Sequence, residues 1–389
     1  MLEVDPLPHI AQGESEFRWA CRDFLSTQTF NDDHILDADR AVSVARDFQR
    51  QRYGAGLAGL EYPVEFGGRG MGDQYELWWQ EEAAAFPRMD EPLDVGMGMC
   101  LPTVYMFGSV EQKRTFIPSL LRGDALWCQL FSEPEAGSDL ASLRTTAEPT
   151  DQGWLINGEK IWTTFGHRAD MGLLLARTDA KVGKHQGLSM FLLDLSSDGV
   201  WRQPLPDLSR QSRFSQIRLD DVFVEDTALL GELNQGWQQA SMTLVFERYF
   251  VRTAVMREGR TPRFDQALRD ARQQNRTYDP LVRSRLVDLY IRETLLAIGG
   301  ERDLASGGNP GPHGSLAKLS TSLICSDYRN LAFHILGADA IAWRPGTSGE
   351  QWLTKVLTTI QYGIGGGTNE IQRNIIAERI LSLPRDSRR

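Results

Sequence analysis

The spacing of apolar and polar positions changes twice along the chain. From residue 1 to about 125 the runs are helical in character. Asp37–Gly56 (DADRAVSVARDFQRQRYGAG) and Tyr75–Phe86 (YELWWQEEAAAF) mix alanine, leucine and long charged residues, with glycine or proline at their ends. Glu111–Asp124 (EQKRTFIPSLLRGD) is a shorter run of the same kind with a late glycine stop. Between about 126 and 232 the period shortens. GWLINGEKIWTT, MGLLLARTD, GLSMFLLDL and FSQIRLDDVFV are brief, often alternating, and separated by glycine and aspartate turns, which predicts a β domain. Asn157-Gly158 reads as a hairpin turn. Long helical patterns return at Gly236–Met256, Pro280–Ile298, Ser315–Leu336, Glu350–Tyr362 and Asn369–Leu381. The arginine-rich, weakly patterned Gly259–Asp279 reads as a surface loop or arm. The order helical, β, helical predicts three domains over 1–125, 126–232 and 233–389. The last is expected to be a four-helix bundle whose faces can serve another subunit.

One position breaks the pattern of its helix. Glu247 shares a helical face with Thr243, Leu244, Phe250 and Val251. A lone carboxylate in such a place costs free energy unless something uses it. A second unusual stretch, GIGGGTNEIQR (Gly363–Arg373), lies far downstream.

Composition narrows the setting. At 389 residues and 43.8 kDa the chain can bury a large core. A net charge of −10 and a pI near 5.2 argue against nonspecific binding to nucleic acid or anionic membranes, while leaving room for an anionic ligand in a local pocket. Cys21, Cys100, Cys128 and Cys325 show neither metal-like spacing nor disulfide density, which fits a reducing cytoplasm. No apolar run is long enough to span a bilayer, and the first residues lack the basic and apolar parts of a secretion signal. The expectation is a cytoplasmic protein without membrane insertion.

Other motifs fail their context. Gly54–Gly59 matches G-x-G-x-x-G but follows a charged helical run, so its glycines read as a helix end and a turn. His167, His185, His313 and His334 lack a ligand pattern, and neither H-E-x-x-H nor G-x-S-x-G occurs, so no metal is expected. Glu81-Glu82 and Asp220-Asp221 read as solvated surface.

Four strings remain: GLAGLEYPVEFGGRG (Gly56–Gly70), LFSEPEAGSDLASLRTTAE (Leu130–Glu148), NGEKIWTTFGHRAD (Asn157–Asp170) and GGGTNEIQRNIIAERIL (Gly365–Leu381). In this order they resemble the acyl-CoA dehydrogenases, flavoproteins that desaturate acyl thioesters. The resemblance runs from about residue 10 to 385. It implies an acyl-CoA dehydrogenase-like fold with an N-terminal α-helical domain, a middle β-barrel or sandwich and a C-terminal α-helical bundle. It also implies FAD as cofactor. In the family, the positions of Phe131 and Ser132 lie at the cofactor, Ser138 on the thioester side, and Trp162 and Thr164 along the flat ring. The positions of Thr368 and Glu370 lie near the diphosphate and ribose, and Arg248 resembles the position that holds part of CoA. A flat ring needs backbone hydrogen bonds at its edge and apolar matter on its face, which these strings can supply.

The catalytic base departs from one family pattern and matches another. Many members carry a glutamate directly before the Gly-Thr pair of the last string; here that position is Gly366. Others hold the base on the first C-terminal helix, before an arginine, as in Glu247-Arg248. The resemblance then implies that Glu247 removes the α-proton and the Gly366 N–H helps hold the thioester carbonyl. The aspartate often found three residues before that arginine is Val245 here, which loosens the link to CoA.

The bare wall of Gly363, Gly365, Gly366 and Gly367 favours a branched, long or polycyclic acyl group, and the last string resembles bacterial members acting on steroid side chains or other bulky acyl-CoAs. Reoxidation by an electron-transfer flavoprotein is implied by resemblance alone. Two assembly strings are altered. The family's R-x-x-F-G is absent from MREGRTPRFDQALRD, where Arg257, Arg260 or Arg263 stand instead, and Gln-Ile-x-Gly-Gly reads His334-Ile335-Leu336-Gly337-Ala338. This suggests either a homotetramer or an α2β2 heterotetramer with a related chain. A non-catalytic partner subunit, and a divergent flavin reaction such as desulfination or nitroalkane oxidation, stay open.

Overall fold

A computed structural model describes residues 13–29, 38–209, 212–257, 262–305, 313–340, 342 and 356–385. The chain divides into two compact units, Met1–Phe246 and Glu247–Arg389. In the first unit, helix α1 (Glu14–Ser26) buries Phe17, Cys21 and Leu25, one residue per turn. They pack with Phe48 of α2 (Ala38–Gly54) and Trp79 of α3 (Asp73–Ala83). Glu82, expected at the solvated surface, instead accepts from Arg18 at 3.0 Å and Arg22 at 2.8 Å, tying the end of α3 to α1. The Gly54–Gly59 segment does end α2 and turn. Helix α4 (Leu101–Phe107) and α5 (Val110–Arg122) follow, the latter opened by a reciprocal Ser109–Gln112 cap.

The sheet of this unit is built from β1 (Trp127–Leu130), β2 (Thr146–Pro149), β3 (Gly153–Thr164), β4 (Met171–Arg177), β5 (Leu188–Asp194), β6 (Val200–Leu205), β7 (Phe214–Glu225) and β8 (Leu229–Leu230). The spatial order is β6-β7-β3-β2-β4-β5-β8, with β1 parallel to β4. The alternation in β7 sends Ile217, Leu219, Val222 and Val224 inward. By contrast β5 is buried on both faces from Leu188 to Leu193. One face packs with Leu101, Val104, Ile117, Leu120 and Leu121 from α4 and α5.

Asn157-Gly158 is not a hairpin turn. It lies inside β3, where the pairing with β7 slips between Ile156 and Gly158. The Asn157 side chain exchanges two hydrogen bonds with Asp221, 2.8 and 2.9 Å, and so pins the bulge. Asp221 is therefore a tie between strands rather than free surface.

Helix α6 (Gly236–Arg257) carries Glu247. The second unit continues with α7 (Pro262–Gln273), α8 (Pro280–Ala305), α9 (His313–Leu336) and the short α10 (Asn369–Ile375). The expected loop or arm at 259–279 is thus largely a helix. Its arginines hid an amphipathic pattern in which Ala267 and Ala271 are fully buried against Leu286, Leu289, Ile324 and Tyr328. The helix expected over Glu350–Tyr362 falls partly outside the described residues; Thr359–Gly363 forms a tight 3-10 turn. Among the described residues, no helix is long and apolar enough to cross a membrane.

Candidate active site

In the first unit the site residues stand around one buried ion pair. After β1 the chain leaves the sheet at Phe131 and folds Glu133 inward. The Glu133 carboxylate accepts from the N–H groups of Arg144 (2.6 Å) and Thr145 (2.9 Å), the Thr145 hydroxyl (2.6 Å) and the Lys160 ammonium (2.8 Å). Lys160 is fully buried and also donates to the Phe131 carbonyl at 3.0 Å. The Ile161 N–H donates to the Ser132 carbonyl at 3.0 Å, so the irregular loop is fastened to β3 on both sides of this pair. Burial raises the Glu133 carboxyl, but the Lys160 charge and the hydrogen bonds outweigh it and hold it below the usual range. Burial also pushes Lys160 down to about 8 against the pull of Glu133.

Immediately past this anchor β3 bulges. Its register slips between Lys160 and Thr163, and Trp162 has φ +62°. A left-handed tryptophan costs on the order of 1–3 kcal/mol and persists only where the surroundings enforce it. The indole is 60% exposed and stands edge-on to Phe214, with centroids 5.9 Å apart, so Trp162 is not a β-core residue. Thr164 and Ser132 are half-buried, and Ser138 is exposed. The Thr163 hydroxyl is buried without a partner among the described residues. An exposed aromatic on enforced backbone, beside hydroxyls and an unpartnered buried oxygen, fits a flat ligand with a polar edge such as FAD. Phe131 differs from the rest. Its ring is buried in the core with Trp127 and Leu140, so only its backbone is open to a ligand role.

In the second unit Glu247, Gly366 and Lys318 converge. Gly366 has φ +68° in the turn before α10. A Cβ on it would lie 2.8 Å from Glu247 Oε1 and 3.6 Å from Lys318 Cε. The space a side chain would take at the alternative base position is filled by the carboxylate itself. Gly367 has φ +85°, and its Cβ would meet Gln372 Nε2 at 2.7 Å. Of the four glycines expected to form an open wall, only Gly363 and Gly365 would take a Cβ without crowding, in ordinary contact with Ser322 Oγ at 3.6 Å and the Gln361 carbonyl at 3.7 Å.

Glu247 is half-buried, and burial raises its carboxyl above the usual range against the opposing charges of Arg248 and Lys318. Among the described residues it has neither an ion pair nor a hydrogen bond. Arg248, also half-buried, is pushed down by burial. No hydrogen bond from the Gly366 N–H is found among the described residues; its carbonyl accepts from Gln372 Nε2 at 2.7 Å. The Thr368 hydroxyl caps α10 by accepting the Ile371 N–H at 3.3 Å. Glu370 is exposed, pairs with Arg373 at 3.5 Å, and is lowered by its own N–H and the Thr368 hydroxyl.

Of the three arginines that stand where the family has its R-x-x-F-G assembly string, Arg260 and the Arg257 side chain lie outside the described residues. Arg263 pairs with Glu293 at 3.4 Å, and Glu293 also accepts the N–H of Phe264 at 3.0 Å at the start of α7. No group of metal-ligating side chains occurs among the described residues.

Sequence reasoning passed over Lys160, Glu133, Lys318 and Gln372. For the lysines a signal was present. Lys160 shares strand parity with the inward Trp154 and Ile156, and Lys318 sits on the buried stripe of α9 with Ser315, Thr321 and Ser322. A lysine at a core-facing position needs a partner.

Family models for the N-terminal, middle and C-terminal domains of acyl-CoA dehydrogenase match residues 12–124, 128–222 and 234–381. Acyl-CoA dehydrogenase IpdE1 of Mycobacterium tuberculosis is 34% identical over 354 residues, 90% of each chain. Acyl-CoA dehydrogenase FadE34 of the same organism is 37% identical over 340 residues, which cover 85% of this chain but only 45% of that protein. The chain thus spans about half of FadE34's length. Among solved structures, the Tcur3481-Tcur3483 steroid ACAD superposes with a TM-score of 0.79 at 25% identity, covering 97% of this chain and 99% of that one.

Proposed function

The chain belongs to the acyl-CoA dehydrogenase family of FAD enzymes, and on that premise we propose that it desaturates an acyl-CoA between Cα and Cβ with Glu247 as the base. The observation that carries this reading is the placement of Glu247: a carboxylate unpaired among the described residues, raised by burial, with Oε1 2.8 Å from the vacant Cβ position of Gly366. A base must be ionised yet basic enough to take a weakly acidic proton, and burial against two cations gives that balance.

The residue roles proposed here follow the family pattern. The Gly366 N–H, without a partner in the described chain, donates to the thioester carbonyl and acidifies the α-position. Glu247 takes the α-proton, and the electron pair of that bond becomes the new double bond. Trp162, Thr164 and Ser132 would hold and shield a flavin ring, and Thr368 and Glu370 would serve an FAD diphosphate and ribose. When bound, FAD supplies the oxidant and accepts the hydrogen leaving Cβ with its electron pair. Ser138 and Arg248 serve the thioester and CoA. The product is the trans-2-enoyl thioester.

For the substrate, we favour a bulky acyl group such as a steroid side chain. The lack of side chains at Gly363 and Gly365 and the likeness to a steroid ACAD support this. Electron-transfer flavoprotein is the proposed acceptor. The commitment of Arg263 to Glu293, and a structural neighbour named for two components, favour a heteromer over a homotetramer. Mass and flavin content of the chain alone, and with an adjacent related chain, test that; one FAD per chain in a homotetramer removes it. The buried thiols of Cys21, Cys100 and Cys128 suit a cytoplasmic setting.

Glu247→Gln tests the base. FAD should stay bound, while bleaching of the flavin by acyl-CoA under anaerobic conditions slows by at least about two orders of magnitude. Bleaching near the wild-type rate would sink the assignment. It would then favour a partner-subunit role or different chemistry on the same fold.

A further inference from the structure

Lys318 has no part in the steps above, yet it is a buried ammonium beside the base. It is 5% exposed on the inner stripe of α9. Its Nζ donates to the carbonyls of Tyr362 at 2.7 Å and Gly367 at 2.8 Å, on either side of the glycine turn. Its Cε stands 3.6 Å from the Cβ position of Gly366, the same point that Glu247 Oε1 approaches to 2.8 Å. Among the described residues no carboxylate lies within ion-pair distance of this ammonium. Two neutral acceptors leave its charge buried without a counter-ion, an arrangement that is costly unless a carboxylate nearby balances it.

We propose that Lys318 is a positioning residue for this reaction: its ammonium clamps the glycine turn at Tyr362 and Gly367 and supplies the counter-charge to the Glu247 carboxylate. The proposal rests on the reading of Glu247 as base. The charged groups facing Glu247 are Arg248 from its own helix and Lys318 from α9. One step further out, Arg379 faces Arg248 and the exposed Glu370 faces Lys318. Burial favours the protonated carboxyl, which cannot accept a proton. The Lys318 charge favours the ionised one. Without it the base stays in place but holds its proton to a higher pH, and raising the pH restores it. A lysine that only packed the helix would not produce that recovery.

The test uses the holoenzyme as Lys318→Met and Lys318→Arg, with thermal melting as the check on folding. Difference infrared spectroscopy follows the carboxyl band of Glu247, identified by its loss in Glu247→Gln, while kcat/KM is measured against pH. In Lys318→Met the carboxyl midpoint should rise by about one pH unit or more, and the acid limb of kcat/KM should move with it. Lys318→Arg, which keeps the charge, should titrate near wild type. If Lys318→Met does not fold, Lys318→Gln retains donors for the two carbonyls without the charge and carries the same expectation. An unmoved midpoint in a folded, uncharged variant overturns the proposal. A midpoint that moves while the activity limb stays fixed keeps the counter-charge and removes Glu247 as the base.

Discussion

Glu133 and Glu247 are two inward-facing glutamates with opposite surroundings. Glu133 accepts four hydrogen bonds, one from a fully buried lysine, and is held below the usual carboxylate range. Glu247 has no hydrogen bond among the described residues and is raised above that range by burial. The first is spent on architecture: three of its hydrogen bonds close the 131–145 loop on itself, and the fourth, from Lys160, fastens that loop to β3 next to the bulge that presents Trp162. The second is free to exchange a proton. What separates a structural from a chemical carboxylate here is how completely its ionised form is satisfied, not how deeply it lies.

The largest expected effect comes from breaking the satisfied pair. Lys160→Met would leave Glu133 buried without its cation, and losing one partner of a buried pair typically costs about 3–5 kcal/mol. Urea denaturation should show that loss, with FAD released because Ser132 and Trp162 lose their anchor. A variant of wild-type stability that keeps its flavin would show that the pair does not set the loop. The acid limit of stability offers a second view of the same group. The folded-state value of Glu133 lies below its unfolded value, so its contribution is present at neutral pH. It is lost as the pH falls through that depressed value.

Next in size is the turn that confronts Glu247. Gly366→Ala places a Cβ at left-handed φ, which costs about 1–2 kcal/mol for an L-residue. The Cβ also meets Glu247 Oε1 at 2.8 Å, so the carboxylate must move. A base displaced by about 1 Å can lose on the order of 10²-fold in rate. Turnover should therefore fall much more than stability does. An alanine variant with unchanged kcat would mean that the Glu247 carboxylate does not occupy this space in the working enzyme. The same contact changes how a base might be moved between the two family positions. Gly366→Glu beside Glu247→Gln keeps the collision, whereas Gly366→Glu beside Glu247→Gly relieves it.

How much of this was legible follows from the same contrast. The change of period from helix to strand and back marked the β region. Glu247 stood out because a charge on an apolar helical face contradicts its neighbours. The 262–273 helix was not readable, because its two fully buried residues, Ala267 and Ala271, carry little hydrophobic signal among arginines. Asn157-Gly158 misled because the same pair suits a tight turn and a bulge alike; Asp221, 64 residues away, decides between them. The crowding at Gly366 was invisible for a related reason. A glycine run reads as open space, and only the placement of Glu247 shows that this space is already taken.

The smallest effect carries the sharpest test of the comparison: the same conservative change at each glutamate should move stability in opposite directions. Glu133→Gln removes a charge that four donors satisfy, and should lower the denaturation midpoint at neutral pH. Glu247→Gln removes a charge that burial disfavours. The folded-state value of Glu247 is raised, so its favourable contribution is complete only below the unfolded value and is lost as the pH rises through the raised one. At a pH above that raised value the carboxylate is ionised and poorly satisfied, a state that the glutamine variant lacks. Because Glu247→Gln also strips Lys318 of its counter-charge, the comparison is made in a Lys318→Met background. There Glu247→Gln should be at least as stable as its parent at alkaline pH, with any advantage shrinking as the pH is lowered. Urea midpoints for the variants and their parents across the acid-to-alkaline range measure this directly. A glutamine variant of Glu247 that is markedly less stable than its parent at alkaline pH would mean that the carboxylate is satisfied after all, and the distinction between the two glutamates would fail.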